Sequence, residues 1–253
     1  MKIILSPAKK MNVRNDDFVA EQLPVFLEDT KLLHRLLCGK SFGELQELWK
    51  CNNKLAQENY RRLQEMDLEQ NLTPALFAYE GLQYQHMAAG VLTAAALDYL
   101  RDHLRILSGF YGVLAPFDGV TPYRLEMQAA LKVENRKNLY EFWGNRLYEA
   151  VWEEDGIILN LASKEYAKCI EPYLRPEDHM ITVIFGELQN GKIHQKGTLA
   201  KMARGEMVRY LAENQVTDLL KIREFPCALF HYSEEFSDSD HLVFLNSNQS
   251  KTT

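Results

Sequence analysis

The sequence predicts a single compact domain of mixed α/β class, α+β-like, with a central mixed sheet and helices around it. Three observations carry this prediction. Short apolar runs at 2–5, 104–107 and 157–161 each stop at a polar or glycine-bearing segment, as buried strands do where they meet a loop. Between them, apolar residues recur every three to four positions, the period of an amphipathic helix. Late in the chain Asn190-Gly191 lies between two strand-like runs, and an antiparallel hairpin there breaks a pure strand–helix–strand rhythm. The fold is therefore expected to be mixed and not doubly wound.

In chain order, 2–5 is a short strand that runs into the loop Ser6-Pro7-Ala8-Lys9-Lys10. Residues 28–67 read as helical: Leu32, Leu33, Leu36 and Leu37 make one apolar face, continued by Leu45, Leu48, Trp49 and Leu55. Ser41 before Glu44 forms a capping box that opens the second helix of this stretch. A helix over 93–102 feeds the strand 104–107, which stops at Ser108-Gly109. Residues 139–153 have helical spacing, with Phe142, Leu147, Ala150 and Val151 inward, and 157–161 is a strand ending at Ala162-Ser163. The hairpin strands are 180–188 and 192–194, a helix over 200–214 carries Lys201, Arg204 and Arg209, and 225–232 and 242–245 read as late strands. Residues 246–253 are a polar tail expected to fray, which leaves 1–245 as the domain. No repeat, low-complexity linker or composition break divides it.

The bulk properties bound the function. A chain of 253 residues, 46% hydrophobic and 25% charged, has the composition of an ordinary globular protein with a substantial core. Its net charge of -6 argues against a uniformly basic nucleic-acid coat, yet leaves room for a local basic cleft. The apolar run at the N-terminus is too short for a signal-peptide core, and nothing later approaches the roughly 20 apolar residues of a membrane span, so the cytoplasm is the expected location. The cysteines, Cys38, Cys51, Cys169 and Cys227, form no CxxC pair, and Cys38 with His34 at zinc-like spacing is a lone pair without further ligands. Reduced structural thiols are the expectation. There is no HxH, HExxH or serine–histidine–aspartate arrangement, and no metal or cofactor is expected.

Chemistry is expected where the three apolar strands end, at Ser6-Pro7-Ala8-Lys9, Ser108-Gly109-Phe110-Tyr111-Gly112 and Ser163-Lys164-Glu165-Tyr166. In open α/β sheets ligands gather outside the carboxyl ends of strands, so these groups converge on one cleft if the three strands are parallel neighbours. The second segment lacks the lysine of a P-loop and the GxGxxG spacing, so it is either a tight turn or a close backbone approach to a ligand. In Thr121-Pro122-Tyr123-Arg124-Leu125-Glu126-Met127, Arg124 and Glu126 offer a cation for phosphate beside an acid–base group, or form a plain salt bridge. Leu139-Tyr140-Glu141-Phe142-Trp143-Gly144 reads as core packing, with stacking of Tyr140 or Trp143 on a base as the functional alternative. Lys201 and Arg204, three apart, share a helix face, with Thr198 as a candidate cap. They either grip one phosphate or form a solvated face.

Together these segments resemble the YaaA peroxide-stress protein family. The resemblance rests on six stretches in order: Ser6-Pro7-Ala8-Lys9, Leu107-Ser108-Gly109-Phe110-Tyr111-Gly112-Val113-Leu114, Pro122-Tyr123-Arg124-Leu125-Glu126-Met127, Leu139-Tyr140-Glu141-Phe142-Trp143-Gly144, Asn160-Leu161-Ala162-Ser163-Lys164-Glu165-Tyr166 and Ala203-Arg204-Gly205. Each is weak alone, and jointly they span nearly the whole chain. The resemblance implies a compact mixed domain of unusual topology with a helix-hairpin-helix-like element and a positively charged cleft. It also implies DNA binding, protection against peroxide and limitation of iron-linked damage. The helix-hairpin-helix element would map onto 41–67. The family often has two lysines before Ala-Arg-Gly, whereas here Met202 follows Lys201.

Two functions follow as expectations. In the first, the protein binds double-stranded DNA with little sequence specificity, through Ser6, Lys9, Ser108, Tyr111, Tyr123, Arg124, Ser163, Lys164, Lys201 and Arg204. In the second it is an enzyme acting on a nucleotide or nucleobase, with Glu126 as acid–base group, Lys164 or Lys9 as helper or nucleophile, and Tyr111 as a stacking wall. Direct iron sequestration or peroxide reduction is a third and weaker reading, because the motif segments contain no cysteine.

Overall fold

The computed structural model describes residues 1–13, 18–152 and 156–246. The chain opens with β1 (Lys2–Leu5) and a short strand β2 (Lys10–Met11), followed by three helices, α1 (Leu27–Cys38), α2 (Phe42–Trp49) and α3 (Asn53–Glu65). A section of short elements comes next: β3 (Thr73–Pro74), α4 (Ala75–Ala78), β4 (Tyr79–Glu80) and α5 (Leu82–Met87). Then α6 (Ala94–His103) runs directly into β5 (Leu104–Ser108), followed by β6 (Gly112–Leu114) and β7 (Gly119–Val120). The helices α7 (Leu139–Trp143) and α8 (Arg146–Val151) precede β8 (Ile157–Asn160) and α9 (Lys164–Ala167). The last third holds β9 (His179–Gln189), β10 (Lys192–His194), α10 (Gly197–Glu213), α11 (Leu219–Ile222), β11 (Phe230–Tyr232) and β12 (His241–Asn246).

The main sheet has the order β11-β12-β9-β8-β1-β5-β6, with β10 added to β9. Its five middle strands are parallel, while β6, β10 and β11 are antiparallel. β1 is an interior strand of the five, between β8 and β5, and Ile3, Ile4 and Leu5 are wholly buried. A strand covered on both faces has no polar side, which is why this segment reads as a continuous apolar run instead of an alternation. Two small antiparallel ladders outside the main sheet, β2 with β4 and β3 with β7, pair the segment around α4 with the stretches that follow β1 and β6.

Local sequence rules explain most boundaries. Ser41 and Glu44 form the reciprocal capping box at the start of α2, and Asn52 and Thr93 cap α3 and α6. The helical stretch 28–67 is broken at Gly39 and again at Lys50, which sits in the left-handed region with φ 45°. Asn190 and Gly191 have φ 51° and 72°, the pair of positive values that a tight two-residue hairpin needs.

Several expectations need correction. The helix expected over 139–153 breaks at Gly144, whose φ of 55° ends α7 before α8 begins, and residue 153 lies outside the described residues. α10 starts at Gly197, not at 200, and its cap position is Lys196, with no side-chain hydrogen bond. Thr198 is inside the helix. Of the strand expected at 225–232 only Phe230–Tyr232 pairs, because Phe225 packs its ring against Tyr210, Phe185 and Phe244. β6, α5 and the two small ladders carried too few residues for a periodic signal. Asn246 closes β12, and the rest of the expected tail, 247–253, lies outside the described residues.

Candidate functional site

β5 and β8 flank β1 in parallel, with Leu5 opposite Ile106 and Ile4 opposite Asn160. The three strands therefore end side by side, and the loops that follow them meet. Ser163 N–H donates to Ser6 Oγ at 2.8 Å, and the two hydroxyls lie 3.3 Å apart. Ser108 turns inward instead: its Oγ accepts from Phe110 N–H at 3.1 Å and Tyr111 N–H at 2.9 Å, and shares a 2.7 Å hydrogen bond with Tyr123 Oη. Tyr123 Oη also meets Tyr79 Oη at 2.9 Å.

The glycine after Ser108 sets the next layer. A Cβ on Gly109 would fall 2.7 Å from the Leu125 carbonyl oxygen and 2.9 Å from Glu126 C and Met127 N. Only a residue without a side chain lets the 125–127 backbone pass this close. That approach brings Arg124 and Glu126 to the cleft, where Glu126 pairs with Lys9 at 2.9 Å and lies 3.7 Å from Arg124. Arg124 also reaches back with Nε and Nη2, each 3.4 Å from the Trp49 carbonyl at the end of α2.

The opposite wall is built by α5 and α10. Gln83 Nε2 and Tyr84 Oη both donate to the Ser6 carbonyl, at 3.0 and 2.9 Å, which fixes α5 to the loop after β1. A Cβ on Gly205 would sit 2.0 Å from the Gln83 carbonyl oxygen, so α10 packs on α5 at a distance only glycine permits. This contact turns Arg204, one residue earlier, toward the cleft.

The result is a cavity of about 380 Å³, of the size that holds small ligands. Its lining includes Ser6, Lys9, Lys10, Glu80, Gln83, Tyr84, Tyr123, Arg124, Glu126, Ser163, Glu165, Tyr166, Lys201 and Arg204. Five cationic side chains against three carboxylates give the cavity a positive balance in a chain of net charge -6. Burial raises the Glu165 carboxyl above its ordinary pKa, and the Gln128 N–H, donating at 3.2 Å, opposes this. Burial also pushes the Arg204 guanidinium down to about 10. It raises the Tyr84 and Tyr166 phenols well above their usual range, so both remain neutral donors.

Of the residues singled out in the sequence, Ser6, Lys9, Tyr123, Arg124, Glu126, Ser163, Lys201 and Arg204 line this one cavity. Ser108 lies behind it, wholly buried, as the support of Tyr123. Tyr111 is not a stacking wall: it is fully buried, its Oη accepts from Thr121 N–H at 3.1 Å, and its ring packs edge-on against Tyr123. Lys164 opens α9, is exposed, and stays off the cavity wall. Trp143 is a core residue that donates from Nε1 to the Gly109 carbonyl at 3.1 Å, and Tyr140 donates to the Glu165 carbonyl at 2.9 Å. Sequence reasoning missed Lys10, Glu80, Gln83, Tyr84, Glu165 and Tyr166 as wall residues. Lys10, Glu165 and Tyr166 adjoin or belong to motif segments, but no local signal marks Glu80, Gln83 or Tyr84, which arrive through tertiary packing.

The four cysteines are free. Cys38 Sγ contacts His34 Nε2 at 3.3 Å, the pair their spacing suggested, and burial raises that thiol's pKa. Among the described residues no group of three or more His, Cys, Asp or Glu is placed to hold a metal ion, and no helix is long and apolar enough to cross a membrane.

Comparison with known proteins places this arrangement among relatives. The sequence model of a family described as peroxide stress protein YaaA matches residues 1–236. A UPF0246 protein of Pediococcus pentosaceus is 50% identical over 245 residues, covering 97% of this chain and 98% of that protein. A UPF0246 protein of Lactiplantibacillus plantarum is 51% identical over 245 residues, covering 97% and 99%, and one of Agathobacter rectalis is 51% identical over 244 residues, covering 96% and 98%.

Proposed function

The chain belongs to the peroxide stress protein YaaA family, and on that premise we propose that it protects by binding DNA through the cleft at the carboxyl ends of β1, β5 and β8. The observation that carries this reading is the inverted charge of the cavity, five cations against three carboxylates in an acidic chain. A local basic site favours a polyanion through counterion release even when the whole molecule is negative. Contacts of this kind position a protein on the phosphate backbone without reading sequence.

The pair α2 and α3, joined through Lys50, Cys51 and Asn52, is the candidate helix-hairpin-helix-like element. Arg124 links its turn to the cleft through the Trp49 carbonyl, and Lys50 and Lys54 are exposed beside that turn. Iron-linked damage would be limited because a protein covering the phosphate oxygens competes with iron for them. The test is titration of fluorescent duplex DNA with the purified protein across a salt series, beside the double variant Lys9→Ala/Arg124→Ala. Wild type should lose affinity steadily with salt, and the variant should bind more weakly, with a log–log slope smaller by about 2. Salt-independent binding, or equal binding by the variant, sinks this reading.

A second reading has one observation in its favour. The cavity is ligand-sized and holds Glu126 and Glu165 together with neutral phenols, a set suited to an enzyme acting on a nucleotide or nucleobase. In that reading Glu126 moves the proton and Lys9, 2.9 Å from it, is the helper.

A further inference from the structure

The five cations of the cavity are not equivalent. Lys9 and Arg124 are both held by Glu126, at 2.9 and 3.7 Å, and Lys10 is held by Glu80 at 2.8 Å. Lys201 and Arg204 make no ion pair among the described residues. The cavity cations that have no ion pair among the described residues therefore lie on one helix, α10, where the two side chains are three residues apart on the same face.

Arg204 carries the stronger signal. Its Nε is shut off from solvent and has no hydrogen-bond partner, while Nη2 donates to Gln195 Oε1 at 3.3 Å. A buried guanidinium edge left open is unfavourable, and native chains close such groups with a partner. Arg204 as a whole is half-buried, so its closed-off Nε edge is the part that the free fold leaves unmatched and that a ligand would close. The position is not an accident of a loose side chain. Gly205 seats α10 against the Gln83 carbonyl, and Gln83 and Tyr84 are themselves tied to the Ser6 carbonyl.

We infer that Arg204, with Lys201, is the anion-recognition element of the cavity and binds the phosphate of a single nucleotide seated inside it. The guanidinium fork suits a phosphate's paired oxygens, and Lys201 adds a point charge. The cavity volume of about 380 Å³ leaves room beyond the phosphate. The phenols of Tyr84, Tyr123 and Tyr166 offer walls for a flat ring, and Glu126 and Glu165 offer acceptors for amino or hydroxyl groups. The nucleotide is either free or one unit of a DNA strand entering the cavity singly. The inference rests on the proposed reading of this cleft as a site for nucleic-acid phosphate and names the residues that hold that phosphate.

The test uses the full chain with three probes: 2′-deoxyadenosine 5′-monophosphate, the nucleoside deoxyadenosine, and fluorescent duplex DNA. Calorimetric titration and thermal melting are run on wild type, Arg204→Met, Arg204→Lys and Lys201→Ala. The monophosphate should bind wild type at least about tenfold more tightly than the nucleoside, as the loss of one charge-assisted contact implies. Arg204→Met should lose at least that factor, and Arg204→Lys, which keeps the charge without the fork, should lose less. Without ligand, Arg204→Met should melt at the same temperature as wild type or higher.

A monophosphate that binds Arg204→Met and Lys201→Ala as well as wild type overturns the inference. So does a ligand-free Arg204→Met that melts clearly lower, because Arg204 would then be a structural residue. Duplex binding without monophosphate binding removes the inference and leaves the DNA reading standing. Arg204-dependent monophosphate binding without duplex binding does the reverse, and absence of both removes both.

Discussion

A Cβ at residue 205 would lie 2.0 Å from the Gln83 carbonyl oxygen, whereas a Cβ at residue 197, on the same helix, meets nothing within 4 Å. The two glycines of α10 should therefore respond oppositely to alanine. Gly205→Ala is expected to destabilise by about 1–3 kcal/mol despite alanine's better helix propensity, through forced separation of α10 from α5. Gly197→Ala should be neutral or stabilise by up to about 1 kcal/mol. Urea unfolding midpoints of the two variants decide this, and equal shifts would mean that the close packing is not tight. The sequence showed Ala203-Arg204-Gly205 as a motif, but the reason for its glycine lies in a residue more than a hundred positions away. The same holds for Gly109, which is required by the 125–127 backbone and not by a turn of its own.

The start of α2 was legible because side chains of its own first turn set it. Ser41 and Glu44 close a reciprocal cap at the start of α2, and Ser41→Ala should reduce stability by about 1 kcal/mol, read in the same unfolding measurement. Elements held only by long-range contacts were not legible. β7 pairs with β3, and the turn before it is held by Asp118, whose carboxylate accepts from Gln22 Nε2 at 2.7 Å and Ala115 N–H at 2.9 Å. Burial nevertheless pushes this carboxyl up from 3.8 to about 6. The native state thus binds the proton more tightly than the unfolded chain between those values. Stability from this group rises as pH falls through about 6 and is lost as pH rises through the same window. Asp118→Asn should flatten that dependence, removing about 1 kcal/mol of the gain between pH 7 and pH 5. Glu165, raised in the same direction, acts alike in both proteins, so their difference isolates Asp118. Identical pH profiles would refute the assignment.

At the scale of the whole molecule, a protein of net charge -6 concentrates its unpaired cavity cations on one helix face, beside the ends of three parallel strands. The apolar runs at 2–5, 104–107 and 157–161 were visible as strands because each carries only one polar residue among apolar ones that the sheet buries, and composition alone argued against a uniformly basic coat. The capping box of α2, the Asn190-Gly191 hairpin and the six family stretches were likewise written locally, in residue type and spacing. Strand order, and with it the convergence of Ser6 and Ser163, came only from tertiary pairing, because hydrogen bonds between parallel strands join residues about a hundred and more apart and leave no periodic trace. Tertiary packing also withdrew Tyr111 and Lys164 from the site and supplied Tyr84 and Glu165 in their place. A side chain's type fixes what chemistry it can perform, and this much the sequence determined. Whether the group faces solvent, core or cavity depends on which distant surfaces bury the most apolar area together, and that only the folded chain decided.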